Sequence, residues 1–138
     1  MVRGIAPTIL ADRGLDAALS SVAQRSSVPT TLDVGMPRRL PDEVESVAYF
    51  VVAEALTNVA KHAKATQAVV TVRFDEQASL LYVSVFDDGV GGAAITAGDD
   101  ATGLRGLEER VRAARGSFDV SSPVTGPTIV TAVLPCAS

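Results

Sequence analysis

The strongest constraint in this chain is a pair of β-rich runs, Ala68–Phe74 and Leu80–Phe86, separated only by the short polar stretch Asp75–Ser79. A gap of hairpin length makes the two runs antiparallel neighbours in one sheet. The segments around them alternate in period. Leu15, Ala18, Leu19 and Val22 recur at helical spacing, with Asp12 in position to cap the helix and Ser26–Pro29 to end it. Thr30–Val34 alternates as a short strand. Pro41 suits the first turn of the next helix, where Asp42, Glu43 and Glu45 complement the positive end of its dipole. That helix is expected to reach about Ala63 and to be the longest element. Asp88–Thr102 has no period and reads as an irregular loop. Leu104–Arg115 is helical, with Gly116 where a C-terminal cap belongs. Ser117–Ser121 and Thr128–Leu134 complete the strands. The order α-β-α-β-β-α-β-β predicts an α/β fold, a two-layer α/β sandwich with a mixed, mostly antiparallel sheet packed on helices.

Size and composition limit what such a sandwich can do. The 138 residues make one domain, and at 14.2 kDa about two-thirds of the chain's surface would be buried. Hydrophobic residues at 47% against 20% charged exclude a disordered chain. One cysteine, Cys136, excludes a disulfide framework and a cysteine zinc site, and one histidine, His62, excludes a multi-histidine metal centre. A net charge of −4 disfavours nucleic acid as a partner. The sequence shows neither a signal peptide nor a membrane-spanning apolar run, so a cytoplasmic setting is expected.

Four features could carry chemistry. At about 100° per residue, Glu54, Asn58, Lys61 and His62 overlap the edge of the apolar stripe formed by Val47, Val51, Ala55 and Val59. Polar groups on the core side need partners, and a pocket for a polyanion and a metal would supply them. The strand Leu80–Phe86 runs directly into Asp87-Asp88-Gly89-Val90-Gly91-Gly92. A carboxylate at a strand end suits an exocyclic amino group such as that of adenine, and the glycines allow close approach of a flat ligand. Thr102-Gly103-Leu104-Arg105-Gly106-Leu107 opens the last helix, whose free N–H groups suit phosphate. Gly126-Pro127-Thr128 places a hydroxyl at the start of the last strand. Taken singly, each has an ordinary reading too: a boundary Asn and His on an amphipathic helix, an Asp-Gly turn, a helix start, a β-branched strand residue.

Their order is specific. Glu54–Ala63 closely resembles the N box of bacterial sensor histidine kinases. Asp87-Asp88-Gly89-Val90-Gly91 resembles their first glycine box, D-x-G-x-G, and Thr102–Leu107 with Glu108-Glu109-Arg110-Val111 resembles the second. Gly126-Pro127-Thr128 with Leu134-Pro135 resembles the closing segment. Gly14-Leu15-Asp16-Ala17-Ala18-Leu19 resembles the G-L-x-x-A-L entry of the nitrate-sensor and desaturase-sensor-like subfamily. The resemblance, over residues 12–135, is to the ATP-binding catalytic domain of two-component histidine kinases, of the GHKL group and Bergerat fold.

That resemblance implies the cofactors ATP and Mg²⁺ and a set of roles. Asn58 would coordinate Mg²⁺ and count as catalytic, with Glu54 as a catalytic helper. Lys61 and His62 would contact phosphate. Asp87 would accept a hydrogen bond from the adenine amino group. Gly89 and Gly91 would admit the base and hinge a lid, with Val90 between them in the binding segment. Thr102, Gly103, Leu104 and Gly106 would bind the phosphates, and Thr128 would support the adenine pocket. Pro127 stands where glycine is common, and Gly98-Asp99-Asp100 adds negative charge that is expected to face solvent.

The activity implied is transfer of the γ-phosphoryl group of ATP to a histidine on a separate dimerisation domain, with a response regulator downstream. His62 belongs to the N box, so the chain reads as a catalytic fragment, monomeric on its own, with residues 1–11 a residual linker and 12–138 the catalytic domain. Two alternatives stay open: a serine kinase of the anti-sigma-factor type and a nucleotide-binding interaction module without transfer activity.

Overall fold

The computed structural model describes residues 8–36, 39–59, 65–89, 102–122 and 127–136. Helices α1 (Thr8–Arg13) and α2 (Leu15–Gln24) precede strand β1 (Thr30–Gly35) and the long helix α3 (Asp42–Asn58). The hairpin β2 (Ala68–Asp75) and β3 (Leu80–Asp87) follows, then α4 (Thr102–Ala113), β4 (Ser117–Ser121) and β5 (Thr128–Pro135). The five strands form one sheet in the order β1-β2-β3-β5-β4. Only β1 and β2 are parallel; the other pairs are antiparallel. This is the expected mixed, mostly antiparallel sheet with helices on one face.

Alternation decides which side chains meet those helices. Leu81, Val83 and Val85 of β3 are buried, as are Val70 and Val72 of β2 and Val130, Ala132 and Leu134 of β5. Against them pack Leu15 and Leu19 of α2, Val51 and Val52 of α3, and Leu107 and Val111 of α4. Burying a side chain of this size is worth roughly 1.5–3 kcal/mol, so these inward rows are the main source of stability. The outward residues Thr31, Asp33, Arg73 and Tyr82 are exposed. The guanidinium of Arg110 lies 4.3 Å above the ring of Phe50, tying α4 to α3.

Several element boundaries differ from the sequence expectation. Asp12 does not cap α2; it lies inside an additional helix, α1. Gly14 occupies the cap position, at φ 93°, with its N–H closing the last turn of α1 on Leu10 O at 3.0 Å. A Cβ there would meet the Arg39 side chain at 3.1 Å. The φ of Gly14 is what calls for glycine, and the arginine packed on it is distant in sequence, so local periodicity could not reveal that contact. Pro41 stands one position before α3 rather than in its first turn, with ψ at 143°. The described part of α3 ends at Asn58, with Val59 still helical in its dihedrals; residues 60–64, up to and past the expected end at Ala63, lie outside the described residues.

Helix α4 starts at Thr102, two residues before the expected Leu104, and ends at Ala113. Its end is a paired-hydrogen-bond cap: Arg115 N–H donates to Arg112 O and Gly116 N–H to Val111 O. The left-handed residue is Arg115, at φ 67°, not Gly116. Glycine is required at 116 for space, because a Cβ would fall 2.3 Å from Val133 O.

Candidate functional site

Connectivity brings the expected site residues to one end of the sheet. Strands β1 and β2 are parallel neighbours joined through α3, so α3 must return its C-terminal end, with Asn58, to where β2 begins. Strand β3 ends there, because Ala68 pairs with Asp87. Strand β5 begins there, because Asp87 pairs with Thr128. Strand β4 runs toward that end, so α4, which precedes β4, starts at that end too.

The same alternation that builds the core sets the chemistry of its last row. Val70, Val85 and Val130 form one row across three strands, and Val72, Val83 and Ala132 form the next. Continuing the phase outward gives Ala68, Asp87 and Thr128. A carboxylate and a hydroxyl therefore stand on the helix-covered face where every other row is apolar. Asp87 is 2% exposed and Thr128 8%. The Asp87 carboxylate accepts the Gly89 N–H at 2.8 Å. Burial pushes its pKa up from the usual carboxylate range; the Gly89 N–H opposes that push, and the neighbouring Asp88 charge adds to it.

Asn58, in the last described turn of α3, is half-buried, and its Nδ2 is buried with no hydrogen-bond partner among the described residues. An orphaned buried N–H donor is costly, and an acceptor on a ligand, such as a phosphate oxygen, is one way to satisfy it. Glu54, one helical turn earlier, is half-buried. No group of three His, Cys, Asp or Glu residues able to hold a metal occurs among the described residues. A lone amide oxygen fits a hard cation whose other ligands are phosphate oxygens and water, the habit of Mg²⁺.

The backbone of Thr102, Gly103 and Leu104 forms the first turn of α4, which contains no acidic residue. The N–H groups of a helix's first turn have no partner within the helix, so this end carries partial positive charge. Gly106 follows within the helix, and a Cβ there would meet nothing within 4 Å. Lys61, His62, Val90 and Gly91, like the acidic pair Asp99-Asp100, lie outside the described residues.

One contributor was missed in sequence. Ser122 Oγ and Thr128 Oγ1 are 2.6 Å apart, so Ser122 holds the hydroxyl of the residue that pairs with Asp87 across the sheet. Only its place at a strand end, before Pro123, could have marked it, and that is ordinary turn chemistry.

Comparison with known proteins agrees with this fold. The chain is 34% identical over 137 residues to the sensor histidine kinase MctS of Rhizobium johnstonii, covering 94% of this chain and 29% of that protein. It is 33% identical over 138 residues to the oxygen sensor histidine kinase NreB of Staphylococcus carnosus, covering 94% of this chain and 38% of that one. The chain is related to the sensor histidine kinases and carries their catalytic-domain fold. The histidine kinase domain of the Erythrobacter litoralis EL346 blue-light activated kinase superposes with a TM-score of 0.65 at 25% identity, over 91% of this chain and 58% of that one. No protein-family model matches the sequence. The kinase-like chain spans about a third of the length of its two sensor kinase relatives. Among its described residues no helix is long and apolar enough to cross a membrane.

Proposed function

We propose that this chain binds ATP with Mg²⁺ at the Asp87 end of the sheet and donates the γ-phosphoryl group to a histidine on a dimerisation domain, with a response regulator downstream. The observation that carries this reading is the buried Asp87 carboxylate, paired across the sheet with Thr128 and followed by the Gly89 turn. An adenine amino group donating to Asp87 would favour its charged form and offset the cost of burial. Thr128, held by Ser122, would form the neighbouring wall.

Phosphates would extend toward the first turn of α4, where the N–H groups of Thr102, Gly103 and Leu104 offer anion contacts and Gly106 leaves space. Lys61 and His62 would add phosphate contacts, and Val90 and Gly91 would flank the base. The Asn58 amide oxygen would hold Mg²⁺, which supplies charge neutralisation on the phosphates when bound. Glu54 would assist beside Asn58. An imidazole nitrogen of the acceptor attacks the γ-phosphorus; the N–P bond forms as the bond to the bridging oxygen breaks, and ADP leaves with that electron pair. Such a reaction needs alignment and charge stabilisation more than covalent help from the protein. Residues 12–138 would be the catalytic domain and 1–11 the linker, which enters the fold early enough for Leu10 to join the core.

The test is a calorimetric titration with ATP, with and without Mg²⁺, on the wild type and Asn58→Ala, followed by γ-labelled ATP with a histidine-bearing dimerisation domain. The reading requires Mg²⁺-strengthened binding that loses its Mg²⁺ dependence in Asn58→Ala, and label on the supplied histidine. Binding without transfer would leave only a nucleotide-binding module; no binding by the folded domain would refute the reading.

A further inference from the structure

The second acidic residue of the turn, Asp88, has a different environment from Asp87. It is exposed, yet three donors from one short segment converge on its carboxylate. The Thr66 N–H reaches Oδ1 at 2.8 Å, the Gln67 N–H reaches the same oxygen at 3.1 Å, and the Thr66 hydroxyl reaches Oδ2 at 2.5 Å. These contacts hold the Asp88 pKa below the usual carboxylate range. The backbone ladder between β2 and β3 is finished at this point. Its last pair is Ala68 with Asp87, and beyond it, among the described residues, only the long Asp88 N–H to Gln67 O backbone bond remains, at 3.4 Å. A carboxylate with three donors takes over where the ladder fades, and hydrogen bonds to a charged acceptor are roughly twice as strong as neutral ones.

The position of this clamp matters because Asp87 lies on one side of Asp88 and Gly89 on the other, and the Gly89 N–H is the donor on the Asp87 carboxylate. Without the clamp, the chain leaving β3 has no described anchor to β2 except that long backbone bond. We propose that Asp88 is a positioning residue of the nucleotide site: by gripping Thr66 and Gln67 it fixes the Asp87–Gly89 turn in the orientation that receives the base. This role rests on the nucleotide reading of the site. It touches no ligand and acts through Asp87 and Gly89.

Three variants test it: Asp88→Ala, Asp88→Asn and Thr66→Val. The readouts are amide hydrogen exchange at Gly89 in the free domain, followed by NMR, and ADP and ATP affinity by calorimetry at low temperature, where all variants are folded. Asp88→Ala is expected to speed Gly89 exchange and weaken nucleotide binding about tenfold. Asparagine keeps an acceptor for both backbone N–H groups and donates to the Thr66 hydroxyl, so Asp88→Asn is expected to restore affinity to within about threefold of wild type. Thr66→Val, which loses one of the three bonds, should fall between. A purely stabilising Asp88 would lower the melting temperature of Asp88→Ala with Gly89 exchange and affinity unchanged, and that result would overturn the proposal while leaving the nucleotide site intact. A wild-type domain that binds no ATP would overturn the nucleotide reading and this role with it.

Discussion

The two ends of α3 treat buried polar groups in opposite ways. At the N-terminal end, Glu45 is 1% exposed and fully engaged. Arg39 grips it through Nε, at 3.2 Å from both carboxylate oxygens, and through Nη2, at 3.0 Å. The Leu40 N–H adds a fourth bond at 3.0 Å. Arg39 Nη2 also reaches Leu10 O, and its side chain packs on Gly14, so one ion pair fastens α1, α2 and α3 together. At the C-terminal end, Asn58 Nδ2 is buried without a described partner, and across the same end of the fold Asp87 is buried with its pKa raised. Satisfied burial marks architecture. Burial left incomplete marks a place prepared for something else, because the protein tolerates the cost only where a ligand can offset it.

If that division holds, mutations at the two ends should separate stability from binding. The largest stability effect belongs to Arg39→Ala, which strands a buried carboxylate on a single N–H. Chemical denaturation should show the largest loss of stability among these variants, while ATP affinity of the remaining folded protein is unchanged. At the other end, Asp87→Asn should not destabilise the domain at neutral pH. Its folded pKa lies above the unfolded value, so the native state holds the proton over that interval while the unfolded state has released it. Wild-type stability relative to Asp87→Asn therefore falls as pH rises through that window, and melting curves across it would show the slope. Gly106→Ala should stabilise α4 by roughly 0.5–1 kcal/mol, since nothing obstructs a methyl there and alanine is the better helix former. The same change should weaken ATP binding, by filling the space the phosphates need; tighter or equal binding would remove Gly106 from the site. The smallest effect is expected at the exposed Asp33–Arg73 pair, 2.6 Å apart, where Asp33→Ala should cost less than about 1 kcal/mol.

Much of this was legible from residue order, and the exceptions share a cause. All five strands lie within one residue of the expected positions, because alternation is a local property and the sheet obeys it. Asp87 was legible for the same reason: it continues the phase of Leu81, Val83 and Val85. What could not be read depends on how the chain folds back on itself, across a short loop at Arg39–Glu45 and Ser122–Thr128 and between remote segments at Gly14–Arg39 and Thr66–Asp88. Glu45 looked like an ordinary dipole-matching acid, and its grip on Arg39 exists only once the loop before α3 folds back. Gly14 looked like part of a motif and turned out to make room for that same arginine. The Asp88 clamp and the Ser122–Thr128 contact likewise join residues whose proximity comes from the sheet. The Asp-Asp-Gly motif did advertise Asp88, since aspartate readily accepts backbone N–H bonds at turns, but the sequence assigned a role only to its neighbour.

The most direct test of this division of labour pairs two readings on Asp87→Asn: its melting temperature at neutral pH and its affinity for ATP with Mg²⁺. A variant that melts at or above the wild-type temperature yet has lost ATP binding by about a hundredfold or more, roughly 2.7 kcal/mol, would establish the buried carboxylate as held for the nucleotide. A variant that melts well below wild type, or binds ATP as the wild type does, would place Asp87 with Glu45 among the residues that only hold the fold together.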